Sequence, residues 1–195
     1  MTKIFFSLLL VFYTFSIQEP SEWELKKDQD YVQVFVRNLD SDTKEFLGET
    51  IVNGHIDSIF SFIMDFDHAN QWMYKIDSSK IISPLKKDKF YVYFTVNINW
   101  PLTDRDLVME VSSENKNNIR MISLYSRPEF ISKDENYIRI RKSQSVWTLE
   151  HIDNKRTKVS LQSHSDVAGI PNWITDLFIT QTPFYSLKSL RKQFD

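Results

Sequence analysis

Three groups of side chains have the types and spacing for acid–base chemistry: His55 with Asp57, Asp65 and Asp67 with His68, and His164 with Asp166. An imidazole beside a carboxylate can take and return a proton near neutral pH. None of the three sits in a Ser/His/Asp arrangement or a zinc-binding HExxH pattern. The Asp65–Asp67 pair lacks the glycine and glutamate of a calcium loop. His55 and His68 flank an expected helix and read as caps or surface groups. His164, on an expected strand, is the strongest catalytic candidate, yet no catalytic residue, metal ligand or cofactor is assigned. The run Asp104–Arg105–Asp106 places a guanidinium between two carboxylates. It can brace a loop through a bidentate pair, or Arg105 can turn inward to hold the polar head of a ligand.

The 195 residues suit one domain. A net charge of −2 argues against nucleic acid as a partner. Without cysteine there is no thiolate nucleophile, disulfide or cysteine zinc site. Three glycines and six prolines leave little room for low-complexity linkers. Lys3 precedes an apolar run, Ile4–Phe15, about the length of a signal-peptide core and too short to span a ~30 Å hydrocarbon layer. Thr14 and Ser16 have the spacing of a cleavage site. Residues 1–18 are therefore expected to be a signal peptide and 19–195 the exported domain, periplasmic or secreted. A retained segment would make the protein membrane-associated instead.

A charged helix is expected over Ser21–Gln29, then strands Tyr31–Arg37 and Glu45–Val52 around a hairpin loop at Asp40–Thr43. Asp57 can cap a helix carrying Ile59, Phe60, Phe62, Ile63 and Phe66, and a second helical stretch spans His68–Tyr74. Period-two patterning then runs through Ser79–Leu85, Phe90–Asn97, Arg105–Ser113, Asn118–Ser126, Tyr137–Leu149 and Thr157–Ser165. Short turns between them imply antiparallel pairing. Helical spacing returns over Pro171–Phe194, with a kink expected near Pro183. A curved sheet of this kind can be filled by its own side chains or enclose a cavity.

Five stretches carry a resemblance. WPLTDRD (Trp100–Asp106), KEFLG (Lys44–Gly48), Asp67–Met73 with its Trp-Met pair, GIPNW (Gly169–Trp173) and Pro183…Leu187…Leu190–Arg191 occur in the order and spacing of START domains, steroidogenic acute regulatory protein-related lipid transfer modules of the helix-grip, Bet v 1-like superfamily. The resemblance spans about residues 22–194. It implies an α+β helix-grip fold: a curved antiparallel sheet wrapped around a long C-terminal helix, with two short helices inserted after the second strand. It further implies one lipid or sterol-like molecule held in an internal tunnel; the protein is expected to be a monomer. Helix-grip relatives also include cyclases and hydrolases, so an enzyme acting on a hydrophobic substrate is the alternative. A structural adaptor with a filled core is a third.

Strand parity places Phe90, Val92, Phe94 and Val96 on one face, and Leu107, Met109 and Val111 on the same face of the next strand. With Trp72, Trp147, Trp173, Leu177 and Arg105 they form the expected ligand-facing set. By the same resemblance, Ala69 and Met73 stand where phosphatidylcholine carriers keep a charged pair, and Val92 and Val111 stand near the buried charges of steroid-type members. A weakly polar ligand, such as a fatty acid, sterol-like or isoprenoid molecule, follows. Phe130 and Ile131, in the loop Arg127–Asn136, are expected to touch a membrane transiently beside the basic residues Lys188, Arg191 and Lys192.

Overall fold

The charged stretch expected to be a helix is a strand. β1 (Glu24–Gln29) pairs antiparallel with β2 (Val32–Asn38) through a two-residue turn, Asp30–Tyr31, in which both residues have positive φ. Such a turn matches the twist of a hairpin. The Glu-Leu-Lys-Lys composition favours a helix locally, but the open edge of β2 offers backbone partners that an isolated helix lacks. The charges then serve the sheet, because an exposed, charged edge strand discourages pairing with another chain. The computed structural model describes residues 21–40, 43–83, 89–98, 100–167, 169–170 and 172–195, with only the backbone of Asn172 and Trp173. The expected signal peptide at 1–18, the helix-opening Pro171, and the Trp173 side chain lie outside the described residues.

After β3 (Lys44–Asn53) come α1 (Ile56–Met64) and a 3-10 helix (Phe66–Gln71). The sequence then runs through β4 (Ile76–Ile81), β5 (Lys89–Val96), β6 (Arg105–Lys116), β7 (Ile119–Ser126), β8 (Ile138–Arg139), β9 (Lys142–Asp153) and β10 (Arg156–Asp166), ending in α2 (Asn172–Lys192). The sheet order is β1-β2-β3-β10-β9-β7-β6-β5-β4, antiparallel throughout, with β8 added parallel to β6. Together they make the expected α+β helix-grip architecture, a curved open sheet with a C-terminal helix. Among the described residues no helix is long and apolar enough to cross a membrane.

Two local expectations shift. His55, not Asp57, caps α1: its Nδ1 accepts from the Asp57 backbone N–H at 3.3 Å, while Asp57 pairs with Arg120 at 3.2 Å. The segment expected as one strand over Tyr137–Leu149 divides into β8 and β9. Arg139 and Ile140 are consecutive and both buried, which breaks two-residue alternation.

One end of the sheet's inner face is packed solid. Ile59, Ile63 and Phe66 press onto Phe90, Val92, Val111, Ile122, Leu149 and Val159, all nearly inaccessible to solvent. Phe66 meets Phe90 and Phe94 with ring centroids 5.8 and 6.0 Å apart. α2 packs on β2 and β3 through its second half, where Pro183, Phe184, Leu187 and Leu190 are buried. Gly48 permits that approach. A Cβ there would lie 2.7 Å from Leu187 Cδ1 and 2.8 Å from Pro183 Cβ. Phe194 closes this end against Phe62 at 5.6 Å.

Candidate functional site: a pocket under the first half of the last helix

Toward the other end, the same strands diverge from the helices and leave a pocket of about 510 Å³. β5 contributes Phe94 and Val96, β6 Leu107 and Met109, β7 Leu124, and β3 Phe46. Trp147 and Leu161, paired across β9 and β10, form the inner limit. α2 supplies Thr175, Phe178, Ile179 and Thr182, whose i, i+3, i+4, i+7 spacing sets one helical face over the pocket.

The pocket changes character along β9 and β10. Beyond Trp147 and Leu161 the wall continues as Ser145 and Ser163, then Ser143 and Ser165. Each pair is bonded across the strands at 2.7 Å, and Ser163 Oγ also donates to the Gln144 carbonyl at 2.9 Å. Two struts hold α2 over this space. Lys44 on β3 pairs with Asp176. On the opposite side Tyr74 O–H donates to Gln181 Oε1 at 2.8 Å, and its ring stacks on Tyr185 at 4.9 Å. Partial burial, with a smaller effect from Tyr185, pushes the Tyr74 phenol above its ordinary pKa.

Of the expected ligand-facing set, Phe94, Val96, Leu107, Met109 and Trp147 line the pocket. Phe90, Val92 and Val111 share their face but lie in the packed end, outside the lining. Trp72 sits one layer back, its ring 5.8 Å from Trp147 and 5.3 Å from Phe62. Leu177 requires correction. It is 49% exposed, because the pocket-facing stripe of α2 runs through Phe178 and Ile179 and turns Leu177 away. Met73, where the resemblance removes a charge, borders the pocket; Ala69 is fully buried.

Arg105 is buried at 2% exposure on the strand face of Leu107 and Met109, but it does not line the pocket. It donates to the Thr103 carbonyl, and its Nε has no partner among the described residues. Desolvation lowers its pKa, opposed by Asp104. The bracing expected of WPLTDRD is present with different partners. Asp104 accepts from the Ile98 N–H at 2.9 Å, and Asp106 takes a bidentate pair from Arg139 at 2.9 and 2.8 Å. Arg139 also donates to the Pro128 carbonyl at 2.6 Å and so secures the loop before β8. Tyr93 O–H donates to Asp106 at 3.1 Å, and burial, reinforced by that carboxylate, pushes the phenol pKa up to about 12.

The acid–base groups do not converge. His55 and His68 are exposed, the latter 2.8 Å from Asp65, whose hydrogen bond raises the imidazole pKa. His164 borders the pocket, but its Nδ1 lies 3.5 Å from Glu45 Oε1. Strand alternation places that imidazole opposite Ser163 and Ser165. Glu45 is itself held by Arg37 at 2.7 Å and by Gln162 at 2.9 Å. No cluster of three His, Asp or Glu side chains suited to a metal occurs among the described residues. Phe130 is 44% exposed and stacks on Tyr91 with centroids 3.7 Å apart; neither it nor Ile131 lines the pocket.

A STAR-related lipid transfer protein from Xanthomonas axonopodis superposes on this chain with a TM-score of 0.81 and 26% identity, covering 88% of this chain and 98% of that one. The chain has the START fold. Human STARD10 shares that fold at a TM-score of 0.76, with 16% identity over 87% of this chain and 71% of that one. A Streptomyces aromatase/cyclase is more distant, at 0.59 and 8% identity over 77% of this chain and 93% of the other. In sequence, 173 residues, 87% of this chain, match 85% of a Pseudomonas aeruginosa protein named only as uncharacterized, at 27% identity. No family model matches the chain. Within the START fold, the serines of β9 and β10 and the Phe178–Ile179 face of α2 are site residues beyond the expected set.

Proposed function

We propose that this START-fold domain binds one lipid-like molecule in the pocket beneath α2 and carries it, without catalysing a reaction. The observation that carries this reading is the unfilled inner face between Trp147 and the first half of α2. Apolar side chains there face space rather than one another. A volume of about 510 Å³ falls within the ~300–1,000 Å³ of sites that hold a small organic ligand. Burying a chain of about 15 methylenes contributes on the order of 10 kcal/mol, so few polar anchors are needed. The Xanthomonas neighbour is a STAR-related lipid transfer protein, which supports lipid transfer by a protein of this shape. The aromatase/cyclase neighbour keeps an enzyme in view, but the His164 ring is directed at Glu45 rather than at the pocket.

Transfer requires contact with a membrane. Phe130 and Ile131 remain the proposed contact, and Trp100 joins them. It is 92% exposed on the segment that follows the pocket-lining residues Val96 and Ile98. An aromatic ring with a polar N–H suits the lipid–water boundary. The apolar run Ile4–Phe15 supports an exported setting for this activity.

Native mass spectrometry of gently purified protein, with extraction and identification of any bound lipid, tests the central claim. A one-to-one lipid adduct is expected. Protein consistently recovered empty, and unable to take up lipid from vesicles, would end it. For the membrane contact, Asp at Trp100 or at Phe130 and Ile131 should weaken vesicle co-sedimentation; unchanged binding rejects that contact.

A further inference from the structure

The serine rungs of β9 and β10 permit a sharper statement about the ligand's polar end, and it rests on the lipid-binding reading above. We infer that Ser143, Ser145, Ser163 and Ser165 form a head-group subsite that selects a neutral hydroxyl over a carboxylate. Position supports this first. The four hydroxyls lie on one wall of the pocket, immediately past the apolar limit set by Trp147 and Leu161. Ser143 and Ser163 are each only 8% exposed, so water cannot freely satisfy them. A ligand whose tail fills the apolar part brings its head to these rungs.

Proton bookkeeping supplies the selectivity. Each hydroxyl has one proton to give and two lone pairs to receive with. Ser163 gives its proton to the Gln144 carbonyl. The 2.7 Å contact between Ser145 and Ser163 must therefore use the proton of Ser145. Ser145 is left with acceptor sites only. In the Ser143–Ser165 rung one proton makes the shared bond and the other remains to be donated. The wall thus offers an acceptor at the inner rung and a donor at the outer one. A ligand O–H matches both, donating to Ser145 and accepting from the outer rung.

A carboxylate fits poorly, because it only accepts and would face the lone pairs of Ser145. It also needs a cation when buried. Lys44 at the pocket border is paired with Asp176, Lys75 at the same border lies over the Tyr74 ring at 5.8 Å, and Arg105, on the inner face, is not among the residues that line the pocket. The ligand class this predicts is a single-hydroxyl lipid: a sterol, a long-chain alcohol or an isoprenoid alcohol.

The test is an equimolar competition among hexadecanol, its methyl ether and palmitate at pH 8, with bound species counted by native mass spectrometry. The alcohol should be retained about tenfold over the ether and the acid, as expected when a buried acceptor is left unpaired by the wrong ligand. Ser145→Ala should bring alcohol and ether to parity. Ser145→Thr, which keeps the hydroxyl, should preserve the preference and guards against misreading a folding defect. Equal retention of all three, or preference for palmitate, overturns the head-group assignment and leaves lipid binding standing. So does an unchanged alcohol preference in Ser145→Ala. Retention of none of the three counts against lipid binding itself and removes the subsite with it.

Discussion

The two ends of one inner sheet face are built from the same strands and hold themselves together differently. At the packed end, side chains from α1 and the 3-10 helix fill the concavity, so apolar burial inside stabilises the strands. At the hollow end that filling is missing, and polar contacts on the outer face take over. Asp106 and Arg139, with side chains 0% and 4% exposed, join β6 to β8. Thr95 Oγ1 accepts the Ser78 backbone N–H and shares a second hydrogen bond with the Ser78 hydroxyl, joining β5 to β4. Glu45 gathers Arg37 and Gln162 from the strands on either side of β3. A domain that keeps its interior open must brace its wall from behind. Buried ion pairs are costly replacements for packed hydrocarbon, because their desolvation offsets much of their attraction. Here they serve where hydrocarbon would close the site.

The largest expected effects test that division directly. Phe66→Ala empties the middle of the packed end and should cost about 3–5 kcal/mol in urea unfolding. Leu124→Ala, on the pocket wall, should cost no more than about 2 kcal/mol, since one side of that residue already lacks partner atoms. Similar losses at both sites would mean that the pocket is as tightly packed as the core. Arg139→Met should match the Phe66 loss, about 3–5 kcal/mol, by leaving Asp106 buried without its cation. The same network responds to alkali. The Tyr93 phenol titrates near 12 in the folded chain and near 10 when unfolded, so its contribution is complete below pH 10 and disappears as pH rises through 12. Alkaline unfolding of Tyr93→Phe should therefore be less steep over that window than that of the native chain.

Filling experiments sharpen the contrast at smaller magnitude. Val111→Phe forces volume into the packed end and should destabilise by about 1–3 kcal/mol. Leu107→Phe, four residues away on the same face of β6, projects into the pocket and should change stability by less than about 1 kcal/mol. It should nonetheless lower the amount of co-purified lipid. A Leu107→Phe protein that keeps its full lipid load would place the ligand elsewhere.

Much of this arrangement was legible in the residues. Period-two alternation put Phe90, Val92, Phe94 and Val96 on one face with Leu107, Met109 and Val111, and in the structure each of them lines the pocket or packs in the core. Alternation cannot say how far along a strand the helices reach, so it could not divide Phe94 from Val92 at the pocket boundary. The β1 strand was obscured because edge pairing is a long-range gain and helix propensity is local. Leu177 was misplaced because an apolar stripe on a helix is wide, and one residue rotates the face by about 100°. The serines were within reach. Ser143, Ser145 and Trp147 alternate on β9 as plainly as the phenylalanines do on β5, but an apolar search passes over hydroxyls. Arg139 gave no local signal. Its partner Asp106 is 33 residues distant, and the flanking arginine Arg105 was the more obvious candidate.

The smallest effect separates the two halves of α2. Lys44–Asp176 ties its first half, over the pocket, to β3; Lys188–Asp30 ties its second half, over the packed end, to the β1–β2 turn. Both pairs are well exposed, with side chains 39% and 52% accessible in the first and 51% and 41% in the second. Each should contribute about 0–1 kcal/mol and weaken with salt. Asp176→Asn and Asp30→Asn should thus be almost indistinguishable in unfolding experiments. They should differ in ligand exchange. The first half of α2 rests on space and on the Tyr74–Gln181 contact, so losing one strut lowers the barrier to lifting it. The second half is held by Pro183, Leu187 and Leu190 whatever becomes of Lys188. Lipid release to acceptor vesicles should speed up about two- to fivefold in Asp176→Asn, the range set by ~0.4–1 kcal/mol. Added salt should reproduce that acceleration in the native chain, and Asp30→Asn should release lipid at the native rate. Equal acceleration by both variants would show α2 leaving the sheet as one rigid unit, and would remove the distinction between its halves.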